Sequence, residues 1–294
     1  MSEREWLQKH TKTLVGKTVA ITGSTGGLGH ELALHLASLG ASLILLDRNA
    51  ARSESFRDML AQTFGVSVRY IRVDLEDMQS VRDATEILSS LPLDIFIHNA
   101  GAYKIPRHRC DSGLDNVFQI NFAAPYYIIR SLLPTLRARS GHVVAVGSIA
   151  HNYSKIDKTD MDFSTRRAPS KVYGNAKRHL MFSLLELFRE ETDATLSIVH
   201  PGITLTNMTA HFPKLIFAVI QYPMRVIFMS PRRASLSLLR GVFEPSAPDA
   251  WIGPRIANVW GLPSKKKLRT ASKEERAEIA ARAESIYNAW KGTK

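Results

Sequence analysis

Cysteine is nearly absent: the 294-residue chain has one, Cys110. A single thiol excludes an intramolecular disulfide and any zinc site built from several cysteines. It fits a reducing compartment, and a cytoplasmic protein is expected. Long apolar runs are also lacking. The greasiest stretch, Leu215–Met229, is broken by Gln221, Pro223 and Arg225. It falls short of the ~18 uninterrupted apolar residues of a membrane span, so an integral membrane protein is not expected. The opening MSEREWLQKHTKTLVGK is charged and has no apolar core of signal-peptide length. Metal-ligand spacing such as His–x–x–Glu–His is missing, as is the GxSxG elbow of serine hydrolases. No metal is expected, and His151 and His200 are read as packing or hydrogen-bonding residues.

Acidic residues are the minority. Against 39 Lys and Arg stand 27 Asp and Glu, a formal charge of +12. Such a surface attracts nucleic acid, acidic lipid or phosphorylated ligands, or simply keeps a basic face solvated. The densest cluster, Lys265, Lys266, Lys267 and Arg269, has no interleaved aromatics of a base-stacking platform. Nucleic acid is therefore not expected as a partner.

What is present is an alternation of short apolar runs with longer amphipathic ones. Lys17–Thr22, Ala41–Leu46, Val66–Val73, Leu93–Ile97, His142–Gly147 and Thr195–Val199 read as buried strands. Helical stretches separate them, the longest from about Lys171 to Glu190, and Glu274–Trp290 reads as an appended terminal helix. Strands apolar throughout and joined by helices form a parallel sheet covered on both faces. Right-handed crossovers make it a doubly wound, Rossmann-type α/β fold. With no linker or repeat, 1–294 reads as one domain of about seven strands. Its core spans about 15–262 and its C-terminal helical tail about 263–294.

The first strand runs into Thr22-Gly23-Ser24-Thr25-Gly26-Gly27-Leu28-Gly29, where a helix begins. Glycines allow a tight turn and close approach of a pyrophosphate, and the helix N-terminus favours its charge. In this position the loop predicts dinucleotide binding. It is not the triphosphatase phosphate loop, because Gly-Lys-Ser/Thr is absent. Asp47 ends the second strand, where an acid accepts both ribose hydroxyls of an adenosine and repels a 2′-phosphate. Arg48 follows and could pair with that same phosphate, or both could be solvated strand-end charges. The balance favours NAD over NADP.

Tyr173 and Lys177 lie four apart on one predicted helix and so share a face. A nearby ammonium favours the phenolate and makes a tyrosine usable as a proton acceptor or donor. Ser148 follows a strand at the sheet's carboxyl edge, where its hydroxyl can bond a substrate oxygen. Asn121, on an intervening helix, could hold a water behind Lys177. Singly, Ser148 or Asn121 could be no more than a capping or turn residue.

With these residues in view, the chain resembles the short-chain dehydrogenase/reductase family over almost its whole length. The carriers are TGSTGGLG at 22–29, Asp74-Leu75, HNAG at 98–101, Asn121, Ser148, Tyr173 with Lys177, and Pro201-Gly202. The resemblance implies an NAD(P)-dependent oxidoreductase interconverting an alcohol and a carbonyl by hydride transfer. Tyr173 is then the general acid/base and Ser148 orients the substrate oxygen. Lys177 binds the nicotinamide ribose and depresses the Tyr173 pKa, and Asn121 maintains a proton relay to water. Asp74 and Leu75 flank the adenine, while Asn99, Ala100 and Gly101 line the cleft. Pro201 and Gly202 border it, and Thr206 contacts the nicotinamide amide. The 25-position separation of Ser148 and Tyr173, with SIAH at 148–151 and the late Trp251–Pro254 and Trp260–Pro263 segments, is similar to the retinol-dehydrogenase-like branch. Two positions depart: His98 stands where Asn is usual, and Asp47 replaces a small residue before Arg48.

The Met208–Met229 stretch is rich in Phe, Ile, Leu and Met. It reads as a lid over a small apolar substrate, as core or subunit-interface packing, or as a segment resting weakly on a membrane surface. The resemblance also implies a homodimer or homotetramer through the long helices, unless the C-terminal extension covers them. A catalytically silent dinucleotide sensor or scaffold is the alternative from another class.

Overall fold

In the computed structural model the described residues are 2–203, 229–246, 249–269 and 271–292. After a short helix α1 (Glu3–His10), the chain alternates β1 (Thr18–Thr22), α2 (Gly27–Ser38), β2 (Ser42–Asp47), α3 (Ala50–Phe64), β3 (Val68–Arg72), α4 (Met78–Ser89) and β4 (Ile95–His98). A helical segment follows in three parts: α5 (Asn116–Phe118), a π-helical stretch Gln119–Ala123, and α6 (Ala124–Arg137). Next come β5 (His142–Val146), α7 (Pro169–Leu187), β6 (Thr195–Val199), α8 (Pro231–Phe243), β7 (Ala250–Ile256), β8 (Trp260–Lys267) and α9 (Lys273–Lys291).

The eight strands form one sheet in the order β3-β2-β1-β4-β5-β6-β7-β8. All neighbours run parallel except the β7–β8 hairpin. Alternate residues of each strand face opposite ways. Ala20, Ile44, Phe96, Val143 and Ile198 pack under α4, α6 and α7. Val19, Leu43, Ile95, Val144 and Val199 pack with α2, α3 and α8, where Trp6 of α1 is also buried. Because β1 lies between β2 and β4, the crossovers leave β1 in opposite directions. A crevice opens there at the strands' carboxyl ends.

The expected doubly wound sheet of about seven strands is present with eight, and one expectation is corrected: the start of a helical tail near 263 falls inside the last strand. Pro263 and the lysines of β8 resemble a charged loop in sequence, but an edge strand tolerates both. The helix α9 proper starts at Lys273 and lies on α6 and α7, with Ile279, Ala283 and Tyr287 buried. Glu284 accepts hydrogen bonds from Tyr126 (2.6 Å) and Arg130 (3.0 Å). Arg178 on α7 grips Glu275 through two bonds of 2.7 and 2.6 Å, with the side chains only 9% and 15% exposed. Glu275→Ala strands that guanidinium in a shielded site. The expected loss is about 1–3 kcal/mol, read as a lower urea midpoint at unchanged slope.

Candidate active site

The glycine loop joins β1 to α2. A Cβ on Gly29 would stand 2.1 Å from the Gly23 carbonyl oxygen, so the turn closes only over a glycine. Asn99 clamps it from β4, its Nδ2 donating to the carbonyls of Thr22 (3.1 Å) and Gly23 (3.0 Å). Gly26, the N-cap of α2, supplies no side-chain acceptor, leaving the N–H groups around Gly27 and Leu28 to an external anion. A cavity of about 220 Å³ continues from the loop, lined by Leu46, Asp47, Val73, Leu75, Ala100 and Ile120. Gly23, Arg48, Asp74 and Gly101 also reach it. The glycine cradle and the slot beside it fit a dinucleotide in size and in donor set.

Asp47 is largely buried. Its carboxylate accepts from the Ser24 hydroxyl, and from the Thr25 amide (3.3 Å) and hydroxyl (3.2 Å). Thus Ser24 and Thr25 also anchor the loop to β2. Arg48 is exposed at the rim, 3.9 Å from Glu76. Asp74, half-buried, accepts from the Glu76 amide at 3.1 Å.

The proton-transfer group assembles across three elements. Ser148 lies two residues past β5 and caps the 3₁₀ turn Ile149–Tyr153, accepting from the Ala150 amide at 3.2 Å. Helix α7 packs on that turn so tightly that a Cβ on Gly174 would come within 2.3 Å of the Ala150 carbonyl oxygen. This approach is what brings Tyr173 beside Ser148. Lys177, one turn on, is buried and donates to the Val146 carbonyl at 2.9 Å. Asn121 sits in the π-helical stretch, its Nδ2 donating to the Ala102 and Val117 carbonyls at 2.8 Å each. A Cβ placed on Gly101 would meet both Asn121 Oδ1 (2.8 Å) and Lys177 Nζ (3.7 Å). The four expected residues therefore converge beside the cofactor slot.

Burial dominates the electrostatics of Tyr173 and Lys177. Burial raises the Tyr173 phenol above its ordinary value, and the hydrogen bond with Ser148 opposes it. Burial also lowers the Lys177 ammonium to about 7. The lysine that was expected to depress the tyrosine is thus itself destabilised in its charged form.

Pro201 and Gly202 follow β6 at the same sheet edge, partly exposed. Thr206 and residues 208–228 of the expected lid lie outside the described residues. His151 is buried and donates through Nδ1 to the Ser148 carbonyl at 2.7 Å, and His200 stacks on Trp251. The sequence reading missed Tyr103, whose ring meets Tyr173 edge-on at 5.3 Å. Only its position two residues past HNAG hinted at this. Tyr103 and Ile105 pack with Val117, Ala150, Phe163 and Val172 as an apolar wall around the phenol.

Glu76, His108 and Cys110 bring ligand atoms within 4.8 Å of one another. Asn116 Nδ2 donates to His108 Nδ1 (3.1 Å) and to the Pro106 carbonyl (3.1 Å). The ring proton is therefore on Nε2, which faces Glu76 at 3.0 Å. Burial and the nearby Glu76 and Asp115 push the Cys110 thiol up to about 11. The thiol is thereby held in its protonated form, whereas a metal binds the thiolate.

Comparison with known proteins agrees with this architecture. Residues 17–214 match the short chain dehydrogenase family model. The chain is 30% identical to human retinol dehydrogenase 13 over 206 residues, covering 68% of this chain and 62% of that protein, so it spans under two thirds of that relative's length. Among solved structures, an uncharacterised protein from Mycobacterium paratuberculosis superposes with a TM-score of 0.70 at 22% identity, covering 96% of each chain. L-sorbose reductase from Gluconobacter frateurii, complexed with NADPH and L-sorbose, gives 0.61 at 22% identity, covering 79% of this chain and 94% of that one. The chain belongs to the short-chain dehydrogenase/reductase family, oxidoreductases that use a nicotinamide dinucleotide.

Proposed function

We propose that the protein interconverts an apolar secondary alcohol and its carbonyl, using NAD, with Tyr173 as general acid/base. The observation that carries this reading is the convergence of Ser148, Tyr173, Lys177 and Asn121 on the open end of the dinucleotide slot. When bound, the nicotinamide supplies or accepts the hydride. Ser148 and Tyr173 would hold the substrate oxygen between two hydroxyls, and the wall of Tyr103, Ile105 and Phe163 favours an apolar body behind it. At neutral pH the buried phenol is protonated, so Tyr173 is ready to donate a proton to a developing alkoxide. Oxidation needs the phenolate and therefore gains as pH rises. Lys177 lies 5.8 Å from the Tyr173 ring centre, close enough for its ammonium to favour that phenolate.

The preference for NAD is supported by Asp47, a fixed negative charge where a 2′-phosphate would enter. Titration by nicotinamide fluorescence should show tighter binding of NADH than NADPH. Asp47→Ser removes the charge, leaves Arg48 to pair with the phosphate, and should reverse the order by about tenfold or more, the yield of one charge-assisted contact of about 1.4 kcal/mol. Tighter NADPH binding by the unaltered protein would overturn the assignment.

Self-association through α6 and α7 meets an obstacle, because α9 already occupies that face. We therefore take the protein as a monomer there, to be checked by sedimentation equilibrium. No helix among the described residues is long and apolar enough to cross a membrane. A cytoplasmic location is part of the same proposal, and recovery of the protein with floated liposomes would count against it.

A further inference from the structure

His98 ends β4 where most relatives were expected to carry Asn, and the sequence reading gave it only a packing role. Hydrogen-bond accounting assigns it more. Thr22 Oγ1 accepts from the amides of Asn99 and Ala100, both at 3.0 Å. With both lone pairs engaged, the Thr22 hydroxyl has only its own hydrogen to give. The acceptor facing it is His98 Nδ1 at 3.2 Å. Nδ1 is therefore the bare nitrogen, and the ring proton sits on Nε2.

That Nε2–H is fully buried and has no partner among the described residues. A buried donor without an acceptor is unfavourable, and such groups are ordinarily met by ordered water. The surroundings define what the water touches. His98 pairs with Ala145 on β5, and the next residue, Val146, takes one hydrogen of Lys177 through its carbonyl. His98 and Phe96 share the sheet face on which α7 lies. Burial, reinforced by the Lys177 charge, keeps the imidazole neutral. Two donors, imidazole N–H and lysine ammonium, cannot bond each other. A water accepting from both resolves the conflict.

We propose that His98 is a positioning residue that holds a buried water against Lys177 from the sheet side, on the route by which protons reach Tyr173. This rests on the reading of Tyr173 and Lys177 as the proton-transfer pair. Lys177 is the charged group whose field reaches His98, and Tyr173 lies one turn from Lys177 on α7. Asn121 of the π-helical stretch flanks them as a neutral amide.

Three variants test it. His98→Asn keeps a partner for Thr22 but falls short of the Nε2 position. His98→Gln reaches that position, and His98→Leu does neither. In the unaltered protein, nitrogen-15 spectra of the histidines should show His98 neutral with its proton on Nε2 from about pH 5 to 9. His98→Asn and His98→Leu should each lower kcat by about tenfold and move the ionisation in the kcat–pH profile by about half a unit, with KM for the dinucleotide unchanged. His98→Gln should restore both. If His98→Leu does not fold, His98→Asn carries the comparison. A proton on Nδ1, or folded Asn and Leu variants with the unaltered pH profile, would overturn the proposal. Full activity in Tyr173→Phe would instead remove the reading beneath it, and the histidine spectra would still decide the tautomer.

Discussion

Tyr173→Phe is expected to lower kcat by about 10²- to 10⁴-fold, the usual contribution of a positioned acid/base, and to leave dinucleotide binding unchanged. Phenylalanine keeps the edge-on ring contact with Tyr103 and the packing on Val172 and Phe163, so the wall around the site stays intact. Only the hydroxyl is lost, and with it the donor beside Ser148. Steady-state kinetics in both directions, paired with a fluorescence titration of the cofactor, separate the two quantities. Unchanged turnover would exclude Tyr173 as the proton-transfer group. Loss of binding together with turnover would show that the phenol serves the cofactor rather than the reaction.

Gly29→Ala should have the second large effect. Its Cβ would stand 2.1 Å from the Gly23 carbonyl oxygen and 2.7 Å from Asn99 Nδ2. Either the turn opens or α2 withdraws, and the N–H groups aimed at the pyrophosphate move with it. A loss of dinucleotide affinity of about 100-fold or more, equal to about 2.7 kcal/mol, is expected by calorimetry. Gly26→Ala is the matched control, since its Cβ meets the Gly23 oxygen only at 3.5 Å, an ordinary contact. If the two variants bound alike, the loop would not be the phosphate site.

Much of this arrangement is legible in the sequence because it depends on local pattern. Continuous apolar runs such as Ala41–Leu46 mark strands buried on both faces, and a four-residue spacing is enough to align Tyr173 with Lys177. The less legible features depend on contacts between distant segments. Nothing near Asp47 announces that Ser24 and Thr25 will occupy its carboxylate. Tyr103 meets Tyr173 only because α7 is drawn down on the 3₁₀ turn at Ala150. The π-helical stretch that turns Asn121 inward has no local signature, and β8 was hidden by its lysines and Pro263. The tautomer of His98 is set by Thr22, 76 positions earlier in the chain. The four-residue spacing that aligns Lys177 with Tyr173 also does not announce how deeply both are buried, which penalises the phenolate and the ammonium together.

The placement of α9 has a consequence for how the protein is made. This helix follows in chain order every element it covers, so during synthesis the outer faces of α6 and α7 stand open to solvent until residues 273–291 have emerged. Through that interval Tyr127 and the hydrophobic flank of α7 form an exposed apolar surface, of the kind that draws nascent chains into aggregates. The Arg178–Glu275 pair is the contact that ends it, latching the start of α9 onto a sheet and helices already assembled. Ribosome-bound intermediates truncated before Lys273 would accordingly be the stage at which this protein depends most on chaperones.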